Sequence, residues 1–235
     1  MPRHWTVHAL GALVAMMIAP LAGRGVEYRN EKSHFRFVAP DNWVQIPDGK
    51  LAQIRANARM PANAAVHVAF EPANQVPDRD GSTFPLMFVQ EILNVFPPML
   101  THDHIERLLN TEFRQGFEQG AGGQAKLGPI LWDRDKVRFT AVSDMTAPNG
   151  LRIRWLMVGY LSRDSLIVLN YMSREREFEQ QKPIFERSAD SFQFDPGFRY
   201  EPFNMKRVAL IAGSAVGGTC CCMIVMVVAI IGVCY

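Results

Sequence analysis

Thr101-His102-Asp103-His104 is the one short stretch of this sequence with metal-ligand chemistry. Two imidazoles flank a carboxylate, and His67 or Glu106 would enlarge the set if the fold brought either near. A metal held by His102, Asp103 and His104 would support metal-dependent hydrolysis. A competing role is local: Asp103 with Glu106 three residues on has the form of a capping box, Asp standing for the usual Ser or Thr. Histidines at such a helix start are ordinarily solvated. Arg152 and Arg154 alternate at the start of an apolar segment, where they would grip an acidic partner or lie over a sheet and cover apolar surface. Asp133 and Asp135, beside Arg134 and Lys136, read as a solvated turn. Serine chemistry lacks a Gly-x-Ser-x-Gly elbow, and Gly120-Ala-Gly-Gly123 lacks the Lys-Ser/Thr of a phosphate loop. No cofactor is expected.

Cysteine narrows the chemistry further. All four cysteines, Cys220, Cys221, Cys222 and Cys234, fall in the last 16 residues of the 235. Residues 24–206 therefore hold no disulfide, thiolate metal site or cysteine nucleophile. The 25 Lys and Arg nearly balance 23 Asp and Glu, so the basic footprint of a nucleic-acid binder is missing. Roughly 180 residues between the two apolar ends suffice for one ordinary core.

Those two ends address a membrane. Arg3 precedes an apolar stretch from Ala9 to Ala22 and small residues follow it, the pattern of a secretory signal over residues 1–25; an amphipathic or buried first helix is the alternative. Residues 208–235 carry no charge, which is long enough to span a bilayer with tilt and too apolar for most soluble helices. Gly213 and Gly217 in this run form a GxxxG pair through which a second copy's helix would pack, giving a homodimer. Lys206 and Arg207 before the run favour a cytoplasmic domain, whereas the signal pattern favours export. Export also accounts for residues 1–25, so the domain is expected on the extracytoplasmic side of a single-pass membrane protein.

Between the ends, hydrophobic periodicity sets the elements. Val26–Arg29 and Phe35–Val38 predict a hairpin with Tyr28, Phe35 and Phe37 as its apolar payload. Pro40-Asp41-Asn42 turns the chain and returns Trp43 and Ile46 to the core. A helix capped by Asp48 is expected to run to Arg59, with Leu51, Ile54 and Ala58 inward. Val66–Phe70 and Phe84–Leu93 read as strands. Asp103–Gln119 reads as one helix with Ile105, Leu108, Leu109, Phe113, Gly116 and Phe117 on one face. Ile130–Asp133 with Val137–Met145, Leu151–Leu161 and Ser165–Met172 form an antiparallel meander, expected to show Val142, Trp155 and Met157 on one face and Phe139, Leu156 and Val158 on the other. Glu175–Asp190 is helical, with Pro183 in the first turn of a second part, and Ser191–Phe194 is a last short strand. Residues 196–207 form a tether.

The early Phe35-x-Phe37-x-x-Pro40-x-x-Trp43, the mid-chain amphipathic helix, the meander, and the closing Phe178, Phe185, Ser191 and Phe192 resemble the PsbP-like fold family over residues 26–195. That resemblance implies an α/β/α sandwich around an antiparallel sheet, here with a C-terminal transmembrane helix added. It makes Phe35, Phe37, Pro40, Trp43, Phe185 and Phe192 structural residues. The family includes the extrinsic photosystem II protein and a nuclear-transport factor that binds a small GTPase, so it implies a non-catalytic binding or assembly module. The photosystem protein has no C-terminal membrane helix, and this chain departs from it there. The expectation is a membrane-anchored binding module with a protein partner outside the cytoplasm. The rivals are the hydrolase on His102, Asp103 and His104, and a cytoplasmic tail-anchored adaptor.

Overall fold

The structure is a computed structural model and describes residues 25–57, 62–77, 83–93, 100–120, 125–147 and 149–202. The signal pattern up to Arg24 and the apolar run 208–235, with Gly213 and Gly217, lie outside the described residues. Among the described residues no helix is long and apolar enough to cross a membrane.

Strands β1 (Glu27–Asn30) and β2 (Phe35–Val38) form the expected hairpin, with Tyr28 opposite Phe37 and Asn30 opposite Phe35. The Asn30 side chain closes its turn by accepting from the amides of Lys32 and Ser33. Strand β2 alternates as a half-buried strand must, hiding Phe35 and Phe37 while Arg36 and Val38 face solvent. The amide of Trp43 donates to Pro40 at 3.2 Å, and Asn42 takes the left-handed conformation (φ 62) that a short polar side chain tolerates. Trp43 and Ile46 are both buried.

Strand β3 (Trp43–Gln45) begins the main sheet, and helix α1 (Asp48–Asn57) follows it with Leu51 buried. Ala58 and Arg59 lie outside the described residues. Strands β4 (Ala64–Pro72), β5 (Leu86–Leu93), β6 (Ala125–Asp133), β7 (Arg138–Thr146), β8 (Arg152–Leu161) and β9 (Ser165–Arg174) complete a seven-stranded sheet in the order β3-β4-β5-β9-β8-β7-β6. Every pairing in it is antiparallel. Strand β6 starts five residues earlier than its apolar stretch suggests, before a bulge between Leu127 and Ile130.

Register corrects the expected faces. Val142 is opposite Leu156 and Phe139 is opposite Gly159, so Val142 shares the side of Leu156 and Val158, and Phe139 shares that of Met157. Gly159 lets the Phe139 ring lie across the backbone, since a Cβ there would sit 2.1 Å from Phe139 Cε1.

Helix α4 (Glu175–Asp190) covers the face of Leu156, Val158 and Tyr171. It is one continuous helix, not two parts: Pro183 is exposed, so the carbonyl it leaves unpaired can be hydrated. Strand β10 (Gln193–Phe194) joins β2, giving a second sheet of order β1-β2-β10 in the same layer as α4.

The opposite face carries α1 and the broken helix α2 (His102–Leu108), a π turn (Leu109–Phe113) and α3 (Arg114–Gly120). The sequence reads these as one regular helix. Ile105, Leu109, Phe113 and Phe117 are four apart, which advances about 40° too far per step on a 3.6-residue helix, and the wider turn takes some of that back. Phe113 thereby meets Phe139 at 4.9 Å and Phe117 meets Trp155 at 5.2 Å, while Gly116 faces solvent. The sandwich expectation is met in a coarser form: a mixed α/β fold dominated by antiparallel sheet, with a small second sheet added to one helical layer.

Candidate functional site

The segment after β10 does not leave the domain at once. The Asp195 amide donates to His34 at 2.9 Å, the Arg163 amide donates to Phe198 at 3.0 Å, and the Tyr200 amide donates to Leu161 at 3.0 Å. Tyr200 is buried, and its hydroxyl accepts from the Leu100 amide at 2.8 Å. The Phe198 ring stacks on His34 at 3.6 Å. Packing therefore continues through Tyr200, five residues past the boundary expected at 195.

Docking of this segment creates a cleft of about 530 Å³. Asp195, Pro196, Gly197 and Arg199 form one wall. The other comprises Lys136, Arg138 and Asp190. Tyr160 and Phe192 also line it, their rings stacked at 3.9 Å with 15° between planes, and Phe194 meets Phe192 edge-on at 4.9 Å.

The polar groups of the cleft are preset. Asp190 Oδ1 accepts from Arg138 Nη1 at 2.7 Å and Lys136 Nζ at 3.1 Å. Burial opposes ionisation of Asp190, but these two cations outweigh it and hold its carboxyl below the usual range. The Tyr160 hydroxyl, pushed upward by burial, donates to the Ala189 carbonyl. The turn before Arg138 is fixed by Asp133, whose carboxylate accepts from the amides of Asp135 and Lys136, and it ends on Val137 with φ 49. A β-branched residue there is strained. Such a cleft suits a ligand or peptide with an apolar body and charged flanks, because its floor is aromatic and its rim carries both signs.

A second polar cluster lies at the turn-bearing end of the main sheet. Glu91 Oε2 accepts from Ser33 Oγ at 2.8 Å and pairs with His67 Nε2 at 2.7 Å, while Oε1 accepts from Ser165 Oγ at 2.8 Å. The Glu91 side chain is 13% exposed. The His67 hydrogen bond is the largest of several effects that hold its carboxyl down to about 2, against burial.

The residues singled out in the sequence have other local duties. The cap of α2 is Thr101, whose hydroxyl accepts from the His104 amide and pairs with His104 Nδ1 at 2.9 Å. Asp103 and Glu106 both accept from Arg134, at 2.7 and 3.2 Å, so the capping box does not form. His102 lies 6.0 Å from the Trp132 ring, its Nδ1 buried without a partner. Burial lowers its pKa, with Arg134 adding to the effect. His67 belongs to Glu91. Among the described residues no three His, Cys, Asp or Glu side chains are grouped to hold a metal.

Arg154 reaches Asp144 at 2.8 Å and Glu179 at 3.2 Å and lies 5.4 Å from the Phe178 ring. Arg152 is exposed beside Glu175. Phe35, Phe37, Pro40, Trp43, Phe185 and Phe192 are all buried. Of these only Phe192 lines the cleft. Neither the cleft nor the Glu91 cluster is visible along the chain, since Arg138 and Asp190, or Ser33 and Ser165, are far apart in it.

In architecture the chain is loosely similar to a solved PsbP structure. The solution structure of cyanobacterial PsbP (CyanoP) from Synechocystis sp. PCC 6803 is similar with a TM-score of 0.47 and 16% identity, over 74% of this chain and 94% of that one. LpqN, involved in cell envelope biogenesis of Mycobacterium tuberculosis, is similar with a TM-score of 0.39 and 9% identity, over 74% and 91%. A protein of Bacteroides thetaiotaomicron gives 0.39 and 8%, over 81% and 57%. These are loose likenesses of fold. No family model matches the chain, and no curated protein does.

Proposed function

We propose that this chain is a non-catalytic binding or assembly module, presented outside the cytoplasm and held at the membrane by residues 208–235. Its recognition site is the cleft between Arg138 and Arg199. The observation that carries this reading is that Asp195, Pro196, Gly197 and Arg199, which lead toward the uncharged run, themselves form one wall. A partner in the cleft therefore binds on the stretch of chain that leads to the proposed anchor.

The test is protease shaving of intact cells or spheroplasts, with mass spectrometry of the protected fragment. The proposal expects residues 26–205 to be digested while the tail survives. Digestion only after the membrane is broken supports instead the cytoplasmic tail-anchored adaptor that Lys206 and Arg207 favour. Intact protein in the soluble fraction after lysis removes the membrane half of the reading.

A further inference from the structure

Glu91 is a partly buried carboxylate whose hydrogen bonds end on three separate chain segments: Ser33 in the β1–β2 turn, His67 in β4, and Ser165 at the start of β9. Two of these segments are the platforms on which residues 195–200 dock. On one side, His34 follows Ser33, accepts from the Asp195 amide and stacks on Phe198; His34 Nδ1 is also 3.6 Å from the Asp195 carboxylate. On the other side, Ser165 and Ser162 bind each other through their hydroxyls at 2.9 Å, and the Ser162 hydroxyl accepts from the Ser165 amide at 2.8 Å. That closed turn presents Arg163 to the Phe198 carbonyl and bridges Ser162 to Arg199. Glu91 touches neither the docked segment nor the cleft, yet it ties together both surfaces that hold the segment.

We propose that Glu91 is the latch for residues 195–200: by fixing the Ser33–His34 and Ser162–Ser165 turns at a set spacing, it holds the membrane-proximal wall of the cleft in place. Releasing the latch frees the wall without unfolding the sheet, so the cleft exists only while Glu91 holds both turns. As a regulator of the recognition site this rests on the binding reading above; as a mechanical link it does not.

Hydrogen exchange of the full chain in detergent micelles, read by mass spectrometry with residue-level fragmentation, tests the link. Three amides report the docking seam: Asp195, Arg163 and Tyr200. In Glu91→Gln all three are expected to exchange about tenfold faster or more, as loss of hydrogen bonds to a charged group implies for a local opening. The β7–β8 amides of Ala141 and Val158, which open only with the whole domain, report the loss of global stability alone and accelerate by a factor separate from that of the seam. Ser33→Ala is expected to speed Asp195 alone, and Ser165→Ala to speed Arg163 and Tyr200 alone. The single-serine variants decide the matter if Glu91→Gln does not fold. Wild-type rates at the seam overturn the latch, as does acceleration of the seam and the β7–β8 amides by one common factor. The exchange rates are independent of topology and ligand, so failure of the binding reading leaves this result standing.

Discussion

Replacing Glu91 by glutamine keeps the shape of the side chain and removes the charge that Ser33, Ser165 and His67 converge upon. A carboxyl held at about 2 rather than 4.5 is favoured as its ion by about 3 kcal/mol in the folded state, at about 1.4 kcal/mol for each pH unit. Because the folded value is the depressed one, this stability is fully present above about pH 5. It is lost as pH falls from there through about 2. Urea unfolding of wild type and Glu91→Gln in detergent, repeated from pH 7 down to pH 2, should therefore show two things. At pH 7 the variant is weaker by about 2–3 kcal/mol with an unchanged denaturant slope. Between pH 5 and pH 2 the two converge, since the wild type alone gives up the charged hydrogen bonds. A gap under about 1 kcal/mol at pH 7 refutes the reasoning. So does a gap that stays constant down to pH 2, which would make the effect one of shape.

Other perturbations follow from single contacts. Gly159→Ala places a methyl inside the Phe139 ring and should cost about 2–4 kcal/mol of unfolding free energy, beyond ordinary overpacking because Phe139 is fully buried; differential scanning calorimetry measures it. Phe185→Ala, which empties the contact with Trp43 and Tyr171, should cost about 3–5 kcal/mol in the same assay. Arg154→Ala should cost under about 1 kcal/mol despite its two ion pairs, and the loss should shrink in high salt, because both partner carboxylates are solvent-exposed. His102 has a depressed folded pKa, so wild-type stability should decline as pH falls below about 6.5, and His102→Leu should remove that decline. Thermal melts of both proteins from pH 7.5 to 5.5 check it.

The sequence exposed the elements whose signals are local. The β1–β2 hairpin, the turn at Pro40 and the bounds of α4 follow from alternation, turn residues and helical spacing that neighbours alone determine. Helix α2 shows where local reading stops. Thr101 and Asp103 are both competent caps, and Asp103 is drawn away by Arg134, thirty-one residues distant and invisible to a capping rule. The π turn likewise answers to Phe139 and Trp155 on the sheet below. The faces of β7 do not follow from its own alternation, because only the register with β8 sets Val142 opposite Leu156. The candidate site was illegible for the same reason: Arg138 meets Asp190 across fifty-two residues and Glu91 meets Ser165 across seventy-four. No spacing pattern encodes a pair that the topology creates.

The strand order carries a consequence for how the chain reaches this state. Strand β5 ends at Leu93, but the neighbour that joins it to the rest of the sheet, β9, begins only at Ser165. The hairpin of β1 and β2 waits still longer, until Gln193 and Phe194 arrive. A nascent chain cut between Leu161 and Ser165 thus holds two parts of the main sheet with no strand between them, and α4 is not yet made to cover either. Such long loop closures slow folding toward the millisecond-to-second range typical of non-local β topologies. The two part-sheets become one body only as β9 enters between β5 and β8 and β10 closes on β2.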